Sequence, residues 1–223
     1  MAEIYLVRHG QASFGADNYD QLSALGEQQS LWLGEHFAQR AIRFDRVIIG
    51  TQLRHSQTVA RILQGLGQTL AVEQHAGLNE YDFIALHSAL GNTDSDPGMP
   101  PYDNRRDYYR TLKQALKLWS EGKLTGPLPE TWEEFVDRVG NALRSIQQSA
   151  HGRVLVVSSG GPIAVAAQRV LQAPSVTAIE LNFQIRNTSV CQFFFNGQSI
   201  RLATFNTIPH LDRHDRAEAI TFA

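Results

Sequence analysis

Three short apolar runs, each followed by a helical pattern, constrain the fold of this chain more than any other feature. The runs are EIYLV at 3–7, DRVII at 45–49 and RVLVVS at 153–158. Continuous runs rich in β-branched residues are typical of strands that are covered on both faces, as in a parallel sheet. The helical patterns that follow cover residues 22–41, 53–65 and 163–171. This alternation predicts an α/β fold with a mostly parallel sheet.

The remaining segments complete the predicted architecture. Residues 187–205 resemble two strands joined by Asn196-Gly197, a strong hairpin signal that predicts an antiparallel edge. Residues 91–103 are rich in Gly, Pro and Asp and predict a loop. Helical patterns follow at 104–121 and 131–150, the second opening with a Thr131-x-x-Glu134 capping box. We expect a single domain over residues 1–223, with an inserted helical cap at about 91–130.

Net charge, cysteine content and the length of the apolar runs exclude several classes of protein. The 223 residues carry a formal net charge of −2, so no general affinity for nucleic acid follows, and an anion site must be local. Cys191 is the only cysteine, which excludes an intrachain disulfide and a zinc site built on several cysteines. No apolar run reaches the length of a membrane span, and the first residues do not resemble a signal peptide. We therefore expect a cytoplasmic protein without a membrane partner. Its oligomeric state stays open, with a dimer among the options.

The ends of the three predicted strands carry residues suited to binding an anion. Arg8 and His9 end the first strand, Arg54 follows the second by one helical turn, and Ser159 and Gly160 follow the third. In open α/β sheets, ligands bind where strands end and helices begin. Guanidinium forks and backbone N–H groups at a helix start both bind phosphate oxygens. If the strands are neighbours, these groups form a site for a phosphoryl group.

His9 is the candidate nucleophile of that site. Nearby guanidiniums disfavour a second positive charge and should lower the pKa of the imidazole. An unprotonated ring nitrogen can take the phosphoryl group and so divide one displacement into two easier ones. The arginines would hold the phosphoryl oxygens throughout.

Four motifs in this chain resemble the histidine phosphatase superfamily, and in particular its phosphoglycerate-mutase-like group. They are LVRHGQ at 6–11, LSALGEQQ at 22–29, TQLRHSQTVA at 51–60 and LNEYDF at 78–83. The resemblance implies a three-layer α/β/α sandwich, no metal or other cofactor, and a phosphohistidine at His9. It also implies phosphate binding by Arg8 and Arg54 and proton donation to the leaving oxygen by Glu80. We place Gly10 and Gln11 in the same phosphate-binding pocket.

The chain departs from the family pattern at position 159. The family reads V-S-H-G-G there, with a second histidine that completes the pocket, whereas this chain reads V-S-S-G-G. Ser159, with the amide of Gly160, is either a weaker substitute or one that needs help from another histidine. His210, in FNTIPHLD, is the best candidate for that histidine. We expect the other histidines at 55, 75, 87 and 151 to lie on the surface.

These features favour a metal-independent phosphomonoester hydrolase that acts on a small-molecule phosphate ester. Two alternatives remain open at this point. The first is a mutase that moves phosphate within a sugar acid. The second is a catalytically weak protein that binds phosphorylated ligands in a regulatory role. The sequence does not identify the substrate.

Overall fold

The computed structural model describes residues 2–13, 20–90, 105–149 and 151–222, with only the backbone described at 105 and 106. The strands are β1 (Ala2–Arg8), β2 (Arg46–Ile49), β3 (Val72–Gln74), β4 (Arg153–Ser158), β5 (Val190–Phe195) and β6 (Ile200–Thr207). The helices are α1 (Ala24–Gln39), α2 (Leu53–Leu66), α3 (Phe83–Ala89), α4 (Arg105–Ser120), α5 (Trp132–Ser149), α6 (Gly160–Val170) and α7 (Ser175–Asn182). Short 3₁₀ turns lie at Ala76–Leu78 and His214–Ala219.

The six strands form one sheet in the order β3-β2-β4-β1-β5-β6. The strands β3, β2, β4 and β1 are parallel, and β5 and β6 add an antiparallel edge. In the central pair, Arg8 of β1 is in register with Ser158 of β4. The predicted mostly parallel sheet with an antiparallel edge is therefore confirmed.

Helices cover both faces of this sheet because the side chains of each central strand alternate between two cores. Leu155 and Val157 of β4 face a core that contains the apolar sides of α1 and α2. Val154 and Val156 face the other core, to which α3, α4, α5, α6 and α7 contribute. The fold is a three-layer α/β/α sandwich, as the resemblance implied.

Local signals place several element ends. The Thr131 hydroxyl accepts from the Glu134 amide at 3.2 Å, and the Glu134 carboxylate accepts from the Thr131 amide at 2.7 Å. This reciprocal pair is the predicted capping box of α5. The hairpin between β5 and β6 also forms, although its turn takes four residues, 196–199, because the Asn196 side chain accepts from the amides of Gln198 and Ser199.

The cap region was predicted only in part. The helix expected at 104–121 forms as α4, which packs against α3 and α7 and contributes Leu112, Leu116 and Trp119 to the same core as the sheet. The loop expected at 91–103 lies outside the described residues. A cap insertion at about 91–130 within a single domain stays a prediction. No helix in the described ranges combines the length and apolar character that crossing a bilayer requires.

Candidate active site

The carboxyl ends of β1, β4 and β2 bring the predicted site residues together. These strands are neighbours, so the residues that follow them emerge at one edge of the sheet. The His9 amide donates to the Ser158 carbonyl at 2.9 Å, and the Gly50 amide donates to the Val157 carbonyl at 3.1 Å. These bonds extend the parallel pairing by one residue beyond each strand. They hold His9 and the start of α2 on either side of the turn between β4 and α6.

A backbone carbonyl determines which nitrogen of the His9 ring carries the proton. Nδ1 lies 2.7 Å from the Gly10 carbonyl oxygen, and because a carbonyl only accepts, Nδ1 carries the proton. Nε2 therefore keeps its lone pair. Burial lowers the pKa of His9 well below 6.5, and Arg54, Arg8 and His55 lower it further. The sequence predicts a lowered pKa from the arginines alone, whereas burial is the larger cause.

Both arginines are buried at the His9 end of the cavity, with 4% of Arg8 and 5% of Arg54 exposed. Arg54 lies in the first turn of α2, where Nη1 donates to Asp20 at 2.6 Å and Nη2 to Gln52 at 2.9 Å. Its Nε–H is buried and finds no acceptor within the described part of the chain. Arg8 donates through Nη1 to the Ile185 carbonyl. These hydrogen bonds hold two buried guanidiniums at one end of the cavity, an arrangement suited to binding an anion.

Glu80 is held at the start of α6. Its two carboxylate oxygens lie 3.2 and 3.1 Å from the Gly161 amide, which donates to them. Burial raises the pKa of Glu80, and the Gly161 amide and Arg54 oppose that shift without cancelling it. A carboxyl with a raised pKa holds a proton more readily, which is the state required of an acid. The sequence predicts that backbone N–H groups at this helix start bind phosphate, whereas in the structure the Gly161 amide donates to Glu80.

Three further predicted residues have different surroundings. The Gly10 amide donates to the Thr58 hydroxyl at 3.0 Å, and a Cβ at position 10 would lie 2.3 Å from the Gly26 carbonyl oxygen. Gly10 therefore allows close packing against α1, and its amide is already bonded. Gln11 lines the cavity, and its side-chain oxygen accepts from the Ser23 hydroxyl at 2.8 Å. Gly160 is buried in the first turn of α6, behind the cavity lining.

His210 does not take the place of the family's second histidine. It is 2% exposed, it does not line the cavity, and its Nε2 lies 2.8 Å from the Thr188 hydroxyl. The Thr188 amide in turn donates to the His9 carbonyl at 3.3 Å. His210 thus supports the backbone behind His9, and the expectation that it faces the phosphate pocket was wrong.

Ser159 contacts a histidine that the sequence analysis had assigned to the surface. The Ser159 hydroxyl lies 2.8 Å from Nε2 of His55 and 3.4 Å from Nη2 of Arg54. His55 is fully buried, and His87 is only 3% exposed and stacks on Tyr108, so both surface predictions were wrong. A signal for His55 was present, since it begins a helical stripe of buried residues: His55, Thr58, Val59, Ile62 and Leu66.

The site opens into a cavity of about 1690 Å³. Arg8, His9, Arg54 and Glu80 lie at its polar end. Its other walls include aromatic side chains from α3, from α4, from the residue after α7 and from the C-terminal segment: Phe83, Tyr108, Tyr109, Phe183 and Phe222. Among the described residues, no group of three His, Cys, Asp or Glu side chains is arranged to bind a metal.

The C-terminal segment is tied to the polar end of the cavity through Asn187. The Asn187 amide donates to the Thr221 carbonyl at 3.0 Å, and its side-chain amide donates to the His9 carbonyl at 3.2 Å. Ile220, Thr221 and Phe222 then line the cavity. The last described residues are therefore part of the wall of the site.

Known proteins share both the sequence pattern and the fold. The "Probable phosphoglycerate mutase GpmB" of Citrobacter koseri is 26% identical over 231 residues, which covers 95% of this chain and 96% of that protein. The phosphoserine phosphatase of Entamoeba histolytica, solved with 3-phosphoglyceric acid, matches with a TM-score of 0.66 at 18% identity, covering 95% of this chain and 100% of that one. A mycobacterial glucosyl-3-phosphoglycerate phosphatase, solved with inorganic phosphate, matches with a TM-score of 0.65 at 18% identity, covering 94% and 99%.

The solved structures establish a common fold, and a family model adds a match in sequence. The model of the histidine phosphatase superfamily (branch 1) matches residues 4–208. That span includes Arg8, His9, Arg54 and Glu80, the residues that the structure gathers at one end of the cavity. The chain belongs to the histidine phosphatase superfamily.

Proposed function

We propose that this protein is a metal-independent phosphomonoester hydrolase that works through a phosphohistidine at His9. The observation that carries the proposal is the bond between Nδ1 of His9 and the Gly10 carbonyl, 2.7 Å long. It holds the proton on Nδ1 and leaves the lone pair of Nε2 for attack. A lowered pKa keeps the ring unprotonated, and two buried guanidiniums lie beside it.

In the first step, Nε2 of His9 forms a bond to phosphorus as the ester P–O bond breaks. The departing alkoxide takes the proton of the Glu80 carboxyl and leaves as an alcohol. Arg8 and Arg54 bind the non-bridging oxygens and stabilise the charge that spreads over them. The raised pKa of Glu80 and the lowered pKa of His9 allow the acid and the nucleophile to be in their active forms at the same pH.

In the second step, water attacks phosphorus and the P–N bond breaks. The Glu80 carboxylate takes the proton from that water, which returns Glu80 to its acid form. Inorganic phosphate leaves, and the electron pair of the P–N bond returns to Nε2 of His9. Both steps use one carboxyl group in opposite directions, as microscopic reversibility requires.

The cavity favours an aromatic or otherwise apolar alcohol as the leaving group. Its volume of about 1690 Å³ exceeds the roughly 300–1,000 Å³ of common ligand pockets, so a three-carbon acid would leave most of it unfilled. Away from the phosphate end, the described cations in its lining are Arg110 and Lys113. Arg110 pairs with Asp107 at 3.0 Å and Lys113 with Glu180 at 2.8 Å, which reduces their attraction for a substrate carboxylate.

Two other functions stay as alternatives. Relatives named as phosphoglycerate mutases favour a mutase, which would return the phosphoryl group to a sugar acid instead of to water. The serine at position 159 favours a protein that binds phosphate esters with little turnover. The cytoplasmic location and the small-molecule partner expected from the sequence remain predictions.

The test is a substrate panel with the protein as it stands and with His9→Ala. The panel contains p-nitrophenyl phosphate, naphthyl phosphate, simple alkyl phosphates, and 2- and 3-phosphoglycerate. We expect release of phosphate, fastest from aryl esters, and a fall of at least roughly 10³-fold in His9→Ala, because the nucleophile is lost. Quenching the first turnovers in alkaline detergent should trap a phosphate on the protein that survives alkali and is released by acid.

Each alternative has its own outcome in this assay. Exchange between 2- and 3-phosphoglycerate without release of phosphate would identify a mutase. Tight binding of the esters by calorimetry, with no turnover at high protein concentration, would identify a binding protein. Equal activity of the parent protein and His9→Ala would rule out a phosphohistidine at this position.

A further inference from the structure

We propose that His55 on α2, acting through the hydroxyl of Ser159, replaces the second pocket histidine that this chain lacks. The inference rests on the proposed function, since it concerns the same phosphate site. In the family pattern the imidazole comes from the turn after β4, whereas in this chain it comes from the neighbouring helix α2. Its Nε2 lies 2.8 Å from the Ser159 hydroxyl, and its ring centre lies 5.8 Å from that of His9.

Serine at position 159 leaves space that the His55 ring occupies. Ser159 and His55 are both fully buried, and the two side chains are in hydrogen-bond contact. A histidine at 159 would carry a five-membered ring in place of the hydroxyl, directed at the position that the His55 ring already fills. The two positions therefore accommodate one imidazole between them. In the family pattern that ring comes from position 159, and in this chain it comes from position 55.

The backbone at Gly50 leaves room for the His55 ring. A Cβ at position 50 would lie 2.2 Å from Nδ1 of His55 and 2.7 Å from the side-chain oxygen of Asn79. Any residue other than glycine at 50 would displace the ring. Gly50 directly follows β2, so the backbone at the end of this strand leaves space for the His55 ring. The mechanism proposed above gives His55 no other role.

The hydrogen bonds of the Ser159 hydroxyl leave its hydrogen available for a ligand. A serine hydroxyl has two acceptor lone pairs and one donor hydrogen. Arg54 only donates, so its Nη2 at 3.4 Å fills one lone pair. When Nε2 of His55 carries a proton, it fills the other, and the hydroxyl hydrogen of Ser159 is then directed to an acceptor elsewhere. A phosphoryl oxygen held by Arg54 is such an acceptor.

The groups around His55 explain why a bound anion would strengthen this chain of bonds. His55 contacts the backbone of Gly50, and its charged or titratable neighbours include Arg54 and His9, with Glu80 and Arg8 at the same end of the cavity. Burial and Arg54 keep the ring neutral in the empty site. A phosphate dianion among these groups favours a proton on Nε2 and the donor chain from His55 through Ser159 to phosphate. His55 is thus a positioning residue, because it acts through Ser159.

The test is an exchange of the two side chains, read out by the affinity for inorganic phosphate and for vanadate. Calorimetry is used because it does not require turnover. We expect His55→Ala and Ser159→His each to weaken binding by roughly 10- to 100-fold, the first by removing a donor and the second by crowding. The double variant His55→Ala/Ser159→His restores the family arrangement, and we expect its affinity to return to within about threefold of the parent.

A matched control shows whether rescue requires the space at position 55. His87 is also a buried histidine, but its ring stacks on Tyr108. We expect His87→Ala/Ser159→His to bind no better than Ser159→His alone. A double exchange at 55 and 159 that folds, judged by its melting curve, and binds no better than the weaker single variant would overturn the proposal.

If the exchanged variant does not fold, a double-mutant cycle with milder substitutions tests the same proposal. It compares His55→Asn, Ser159→Ala and both together. If His55 acts through Ser159, the double variant loses no more affinity than the more severe single variant, whereas independent contributions would add and would overturn the inference. Phosphate affinity that depends on both residues, with no hydrolysis by the parent protein, would reject the proposed function and leave this inference standing.

Discussion

At the scale of single residues, Glu80 shows how one backbone amide sets a chemical role. The Gly161 amide donates to both oxygens of the carboxylate, at 3.2 and 3.1 Å, so the side chain has one orientation. A Cβ at position 161 would lie 2.2 Å from a Glu80 oxygen, so only glycine allows this approach. The glycine that follows Gly160 is therefore required for the orientation of Glu80.

We expect Glu80→Gln to separate substrates by their leaving groups. An alkoxide needs a proton as it departs, whereas nitrophenolate is stable without one. The loss should be roughly 10²- to 10⁴-fold for alkyl phosphates and far smaller for p-nitrophenyl phosphate. With alkyl phosphates, the fall in kcat/KM as pH rises through the pKa of Glu80 should disappear in the variant.

The matched control for this prediction is Glu73→Gln. Glu73 lies at the exposed edge of the sheet, where it pairs with Arg46 at 2.5 Å, and it is remote from the cavity lining. Its replacement should leave the rates on both classes of substrate unchanged. An equal loss for alkyl and nitrophenyl esters in Glu80→Gln would show that Glu80 does not protonate the leaving group.

The sequence was sufficient for the site residues that follow strand ends, and insufficient for those that depend on packing between elements. Arg8, His9 and Arg54 could be placed because parallel strands bring their carboxyl ends together. His55 could not be recognised as a site residue, because its partner Ser159 is 104 positions away and the contact exists only once α2 and α6 meet. His210 was misassigned for the same reason: only the folded chain shows that its partner is Thr188.

At the scale of elements, α1 and α2 meet through two glycines. A Cβ at Gly34 of α1 would lie 2.1 Å from the Ile62 carbonyl oxygen, and one at Gly65 of α2 would lie 2.3 Å from the Leu31 carbonyl oxygen. The two backbones therefore touch without side chains between them. Since α2 carries Arg54 and His55, this contact fixes the depth at which both reach the site.

We expect Gly34→Ala to lower stability even though alanine is the better helix former by about 1 kcal/mol. The new methyl group meets backbone atoms that cannot rotate away, so the helices must separate, at a cost of about 1–3 kcal/mol. Urea unfolding should show a lower midpoint, and phosphate affinity should fall with it because Arg54 moves.

Gly140→Ala is the control for that prediction. Gly140 lies within α5 and is buried, but the atoms nearest to its added Cβ belong to the Arg169 guanidinium, at 2.8–3.0 Å. That side chain is 34% exposed and can move into solvent. We expect the urea midpoint of Gly140→Ala to stay unchanged or to rise. A Gly34→Ala protein as stable as Gly140→Ala would show that the two helices are free to separate.

Elements with weak sequence signals were the ones missed. The edge strand β3 has three exposed residues, so no buried pattern marks it. The helices α3 and α7 are seven and eight residues long, too short for a clear period of buried positions. The three central strands and the long helices α4 and α5 were predicted within a few residues, because each has a continuous or periodic apolar pattern.

At the scale of the whole molecule, buried histidines link stability to pH. The pKa values of His9, His55 and His87 are lowered chiefly by burial, and burial also lowers that of His210 to about 3. Unfolding returns all four to about 6.5, so below that pH the unfolded chain binds more protons than the folded one. Acidification therefore favours unfolding. Glu80, with its raised pKa, has the opposite effect on the pH dependence of stability.

We expect the urea midpoint to fall as pH is lowered from 7.5 to 5, with an unchanged dependence of the free energy of unfolding on urea. Each histidine that stays neutral in the fold contributes up to about 1.4 kcal/mol per pH unit below 6.5. His210→Gln should remove one of the protons taken up on unfolding, so the free energy of unfolding should depend less steeply on pH. A midpoint that is constant or rises on acidification would contradict this account.

The place of the C-terminal segment has a practical consequence for producing the protein. An extension at the carboxyl end, whether a purification tag or a fused partner, begins close to Phe222, which lines the cavity wall. It would sit next to Thr221, which Asn187 connects to the backbone of His9. The first residue of β1 pairs with Phe195, at the other end of the strand from Arg8. Affinity handles for purification therefore belong at the amino end, where they leave the entrance for substrate unobstructed.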